Sequence, residues 1–202
     1  MPRGAERNQK MRDERRKQIL SSALHLFAVK GLAATKITDI ASRSGISQGL
    51  LYHYFRSKEA IFVELIRGAF EKMNTAARAL ENLPLTPKEK ITKAIVDMLR
   101  ITVENENFSL YFLLIAQASV SEAVPEEAKA IISKEDRVPY EVIARIMRAG
   151  QEDGSIRNYD PEQLSLVFWA MIKGIPIHCA SHGPAFKAPD PRILAGTFFH
   201  EK

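Results

Sequence analysis

The sequence predicts an all-α fold in which three short helices precede a larger helical bundle. Three observations carry this expectation. Apolar residues recur at i, i+3 and i+4 through most of the chain, no stretch shows convincing strand alternation, and Pro125, Pro161 and Pro191 each suit the first position of a helix, where the missing N–H costs nothing. With 202 residues and 46% hydrophobic content, the chain can bury a sizeable core in one large domain or two smaller ones.

Met1 to Lys10 is polar and charged, with Pro2 and Gly4, and is expected to be a disordered arm. Order should begin near Met11. Ile19, Leu20, Ala23, Leu24 and Phe27 then mark an amphipathic helix that stops at Gly31. Thr35 offers an N-cap for a second helix with Asp39 in its first turn, an apolar face of Ile37, Ile40 and Ala41, and Gly45 as its end. Ser47 caps a third helix. Ser57 caps a fourth, which Ile61, Leu65, Ile66 and Phe70 carry to about Leu80. Beyond Leu83-Pro84, helical periods continue through Ile91, Ile95, Leu99 and Val103, and further helices are expected at 109–119, from Pro125 to about Gln151, over 161–181, and from Pro191 to the end. The Gly- and Asp-rich stretch 149–160 reads as a loop.

Charge is unevenly distributed. Residues 1–72 hold fourteen Lys and Arg against seven Asp and Glu, whereas the remainder is mildly acidic, so the basic third is the part suited to a polyanion. Nucleic acid and an anionic membrane surface both qualify. Glu6, Asp13 and Glu14 interrupt the basic arm, and no bulky apolar face accompanies it, which weighs against lipid. The single cysteine excludes an internal disulfide framework, no secretory signal is visible, and apolar clusters such as 166–172 are shorter than the roughly 18 residues of a membrane span. A cytoplasmic protein is expected.

Residues 45–61 read GISQGLLYHYFRSKEAI. On a helix, Leu51, Tyr54 and Phe55 share an inward face, while the pairs Gln48 with Tyr52 and Gly49 with His53 point outward. Two short helices joined through Ser44-Gly45-Ile46 and backed by a longer one make a helix-turn-helix, whose second helix can enter a major groove. Gly49 would allow close approach, Gln48 could contact an adenine edge, Tyr52 and Tyr54 could donate to phosphates, and Lys58 would add charge at a helix N-terminus.

The run TKITDIASRSGISQGLLYHYFRSKEAI resembles the DNA-binding region of the TetR family of bacterial repressors, with the likeness covering roughly residues 11–70. The resemblance implies a homodimeric repressor of double-stranded operator DNA that a small-molecule effector releases. It places Thr38, Gln48, Gly49, Leu50 and His53 on bases, and Lys36, Ser47, Tyr52, Tyr54 and Lys58 on phosphates. Two positions depart from the family: Leu50 stands where threonine is frequent, and Gln48 where lysine is frequent. The implied organisation is an arm at 1–10, a DNA-binding domain at 11–56, a connecting helix at 57–80 and a ligand-binding and dimerisation domain at 81–202. An activator, or a repressor without an inducer, is the alternative.

Catalysis has no support, because adjacent His178 and Cys179 are turned apart on a helix and no other acid–base set is visible. His178 and His182 are at i, i+4 but lack an evident third ligand, so neither metal nor cofactor is expected. Phe108, Tyr111, Phe112, Gln117, Tyr140, Met147, Trp169 and Cys179 are the candidates to line an effector cavity. For the dimer surface, Ala170, Gly174 and Ser181 form a stripe of small residues, and Ile193, Leu194, Thr197 and Phe198 form the apolar face of the last helix.

Overall fold

A computed structural model describes residues 2–200. It contains α1 (Pro2–Ala34), α2 (Ile37–Arg43), α3 (Gln48–Tyr52), α4 (Lys58–Glu81), α5 (Pro87–Glu104), α6 (Glu106–Val120), α7 (Glu126–Glu135), α8 (Arg137–Glu152), α9 (Pro161–His182) and α10 (Pro191–Ala195). The extended pairing among the described residues is an isolated bridge between Ile156 and Phe199.

Four boundaries differ from expectation. The arm is helical from Pro2, since α1 does not wait for Met11. Residues 6–14 are exposed, so this turn of helix is supported locally, by good helix formers and by Gln9 donating to Asp13 at 2.9 Å. Thr35 does not cap α2. Its hydroxyl donates backward to the Gly31 carbonyl at 2.7 Å, closing α1, and Lys36 takes the N-cap position with its N–H on the Asp39 carboxylate at 3.3 Å. The long helix expected from Pro125 is broken at Asp136 into α7 and α8. Pro139 is the cause, because it has no N–H for the Glu135 carbonyl four residues earlier; Asn74 of α4 donates to that carbonyl instead, at 3.4 Å. Lastly, α10 ends at Ala195. The chain turns back there so that Phe198 is fully buried and Arg157 N–H can donate to the Phe198 carbonyl at 2.9 Å.

Two apolar clusters form the interior. The first joins α1, α2, α3 and the N-terminal half of α4 to α6 and α7; the second joins the C-terminal part of α4 to α5, α8, α9 and α10. Met73 of α4 packs against both. The core therefore divides across α4, and α1, α2 and α3 share their interior with α6. Gln117 of α6 adds a polar tie, donating to the Ala28 carbonyl of α1 at 2.9 Å.

The far end of α4 is anchored in the bundle. Arg145 of α8 holds Glu81 by two contacts of 2.6 and 2.9 Å, and this hydrogen bonding keeps the Glu81 carboxyl below its ordinary range.

Candidate nucleic-acid interface and effector cavity

The turn between α2 and α3 depends on Gly45, whose φ of 64° is a left-handed conformation that side chains disfavour. Ser47 then starts α3 by accepting the Leu50 N–H on its hydroxyl at 3.1 Å, which leaves the hydroxyl proton free to donate. Leu51 and Phe55 are buried in the first cluster, and Tyr54 packs against it half-buried. Gln48, Gly49, Leu50, Tyr52 and His53 face outward together, with Thr38 and Lys36 of the α2 segment also exposed. These are groups that donate, accept or touch methyls, on a helix narrow enough for a major groove.

The cations around this surface fall into two kinds. Arg16 is turned inward: it pairs with both Glu64 oxygens, donates to the Tyr54 carbonyl at 3.3 Å and lies 4.4 Å above the Phe55 ring. Lys58 is also internal. Its ammonium donates to the carbonyls of Leu32, Ala33 and Thr35 at 2.8, 3.2 and 2.8 Å, so all three donors are committed to the end of α1. In the single chain Lys58 therefore has no donor left over for the expected phosphate contact. Lys36, Arg43 and Arg56, by contrast, are exposed and have no ion pair among the described residues. The sequence reading had overlooked Arg43 and Arg56, although both lie within the basic third.

An apolar cavity of about 110 Å³ lies between α4, α6 and α9, lined by Met73, Phe112, Ile115, Ala116, Ser119, Lys173 and Ile177. Of the expected wall, Phe112 is in place. Phe108 stacks edge-on behind it, with ring centroids 5.0 Å apart. Tyr111 packs against the first cluster, where burial pushes its phenol pKa up. Gln117 is spent on α1, Met147 is fully buried in the second cluster, and Cys179 donates to the Thr102 carbonyl at 3.7 Å. Tyr140 and Trp169 stand behind Lys173, on which both rings border. A larger groove of about 600 Å³ between Ser21, His25, Arg43 and the α5–α6 corner is open and polar, which suits water better than an apolar ligand.

The small-residue stripe faces solvent in the single chain. Ala170, Gly174 and Ser181 are exposed along α9, beside Leu166 and Val167. On the last segment Ile193 and Thr197 are exposed, but Leu194 and Phe198 are buried in their own chain and are unavailable to a partner. Helix α9 is also long and apolar enough by composition to cross a membrane, with mean hydropathy 1.4, although one side of it packs in the second cluster. His178 and His182 stack at 3.9 Å, and His182 Nδ1 lies 2.9 Å from the His178 carbonyl. No group of three metal-ligating side chains occurs among the described residues.

Comparison with known proteins agrees with this geometry. Residues 19–65 match the family described as bacterial regulatory proteins, tetR family. The HTH-type transcriptional repressor KstR2 of Rhodococcus jostii is 30% identical over 154 residues, covering 76% of this chain and 74% of that protein. KstR2 of Mycobacterium tuberculosis is 38% identical over 79 residues, 39% of this chain and 40% of its own length. The solved structure of the ketosteroid transcriptional regulator KstR2 of Mycobacterium tuberculosis superposes with a TM-score of 0.71 at 23% identity, covering 93% of this chain and 96% of that one. These relatives are helix-turn-helix regulators of transcription and not enzymes. With an exposed reading helix, a shared fold and a relative matched over three quarters of the chain, this protein belongs to the TetR family of bacterial regulatory proteins.

Proposed function

We propose that the chain is a dimeric, cytoplasmic transcriptional repressor that a small apolar or amphipathic molecule releases from a palindromic operator. The observation that carries this reading is the split of α3, with Leu51 buried and Gln48, Gly49, Leu50, Tyr52 and His53 presented side by side to solvent. Thr38, Gln48, Gly49, Leu50 and His53 are the proposed base contacts. Lys36, Ser47, Tyr52, Tyr54, Arg43 and Arg56 are the proposed phosphate contacts.

One five-residue reading helix is too short to select a site. Two, set about 34–36 Å apart by a dimer, read two half-sites. The exposed face of α9 supplies the apolar surface such a dimer needs, and Ile193 and Thr197 are exposed on the last segment.

Release follows from the cavity's position. At about 110 Å³ it is smaller than the roughly 300 Å³ at which small-molecule sites begin, so an occupant must widen it. Met73 of α4 is one wall and four residues of α6 form another. Widening therefore moves the two helices that carry the DNA-binding helices. A ligand favoured by the widened state shifts the population away from the DNA-bound one. That KstR2 of Mycobacterium tuberculosis is described as a ketosteroid regulator fits an apolar effector here.

Footprinting on DNA upstream of the protein's own gene tests the reading. Two protected half-sites related by a dyad are expected, with protection that needs more protein in Gln48→Ala but not in an arm variant such as Arg7→Ala. Binding without sequence preference would reject it.

A further inference from the structure

Lys173 is the one charged residue among those lining the cavity, and nothing in the DNA-binding role accounts for it. Its side chain is largely withdrawn from water, with 24% exposure. A cation in such a place needs partners. It has one oxygen: Nζ donates to Asp136 Oδ1 at 2.8 Å. Its other neighbours are rings, with Nζ 4.8 Å from the centroid of Tyr140 and 6.0 Å from that of Trp169. Aromatic faces stabilise the positive charge without neutralising it. Asp136 is the more exposed member of the pair, at 38%, so it can return to water more readily than Lys173 can.

We infer that Lys173 is the headgroup contact for an amphipathic anion, a carboxylate whose apolar tail fills the cavity against Phe112 and Ile115 and whose head replaces Asp136 on the ammonium. This rests on the reading of the cavity as the effector site and narrows it to one class of ligand. A neutral head leaves the pair intact and gains no charge-assisted bond. A cationic head meets Lys173 with like charge.

The exchange also bears on α4. Asp136 adjoins Glu135, whose carboxylate and carbonyl accept the Asn74 amide at 2.9 and 3.4 Å. The opposite atom, Asn74 Oδ1, is buried without a hydrogen-bond partner among the described residues. Helix α4 is therefore held to the α7–α8 corner from one side of that amide. Lys173 holds the same corner to α9, so an anion that takes Lys173 from Asp136 loosens the corner on which Asn74 depends.

Octanoate, octan-1-ol and octylamine share a tail and differ in their heads. Each is titrated into the full-length protein at pH 7.5, with emission of Trp169, the only tryptophan, as the readout. Octanoate is expected to bind about tenfold or more tightly than octanol, in keeping with a charge-assisted bond, and octylamine most weakly. In Lys173→Met the preference for octanoate disappears while octanol binds as before, which also shows that the variant is folded; Lys173→Arg keeps the preference. Asp136→Asn, which removes the competing carboxylate, tightens octanoate and leaves octanol unchanged. Equal affinities for octanoate and octanol in the wild type overturn the anion and leave the effector cavity standing. If none of the three compounds binds, both readings fall.

Discussion

The outer faces of α3 and α9 are both exposed to water in the single chain, and they are built for different partners. On α3, Gln48, Tyr52 and His53 can satisfy their polar atoms with water until base edges and phosphates replace it, and Lys36, Arg43 and Arg56 ring the surface. On α9, Leu166 is 58% and Val167 41% exposed, next to Ala170 and Gly174, and the nearby cation, Lys173, is paired with Asp136. Water gains nothing from that face. The first surface suits a reversible, salt-sensitive contact with a polyanion; the second suits close packing against another apolar helix.

The sharpest way to break this contrast uses two glycines. A side chain at Gly174 would meet nothing within 4 Å in its own chain, so Gly174→Glu should leave the protomer folded. Buried unpaired in a dimer, the new carboxylate would cost several kcal/mol. Monomers are expected at sedimentation equilibrium, and an unaltered dimer would exclude this stripe from the interface. Next in size, Gln48→Ala should cost about 1–3 kcal/mol at one base pair of the operator and relax specificity there; an unchanged operator-substitution scan would remove Gln48 from base reading. Gly49 is equally open in the single chain. Gly49→Ala should therefore raise thermal stability by about 0.4–1 kcal/mol while weakening operator binding, because the added methyl is met only by DNA. Calorimetry and a gel-shift titration on the same sample separate the two effects.

The smallest effect is the most discriminating. Lys36→Ala should reduce the slope of log affinity against log salt by about 0.9, the value for one lost phosphate contact, whereas Lys58→Met should lower affinity without changing that slope. A reduced slope in Lys58→Met would return that lysine to the phosphates.

The reading helix was legible because its signals are short-range. Gly45, Ser47 and the Leu51–Phe55 spacing lie within eleven residues, and each does in the structure what local chemistry requires. Thr35 and Lys58 have partners that the sequence does not announce, for a shared reason. A hydroxyl or an ammonium near a helix start looks like a cap or an anion contact, and only the folded chain shows that both serve the end of α1. The break at Asp136 could have been seen, since Pro139 inside a helical period announces it. The cavity could not. Aromatic residue types mark apolar walls, but which wall lacks a neighbour depends on how three helices fill space, and Phe112 alone among the expected residues faces the gap. Lys173 carried no local signal, because its meaning comes from Asp136 and Tyr140 on another helix and its corner.

Lys58 and Arg16 together fasten the start of α4 to α1 and the reading helix, so these parts behave as one stiff lever. From Lys58 to Met73 the arm spans roughly 22 Å at 1.5 Å per residue. A tilt of about 5° at the Met73 end then carries the far end about 2 Å, more than the spread of distances over which a hydrogen bond survives. In the proposed dimer two such arms would swing, and their displacements would add along the DNA. Because the clamps keep each arm from bending, the proposed widening of the cavity would reach both reading helices as a change of spacing, without any helix unfolding.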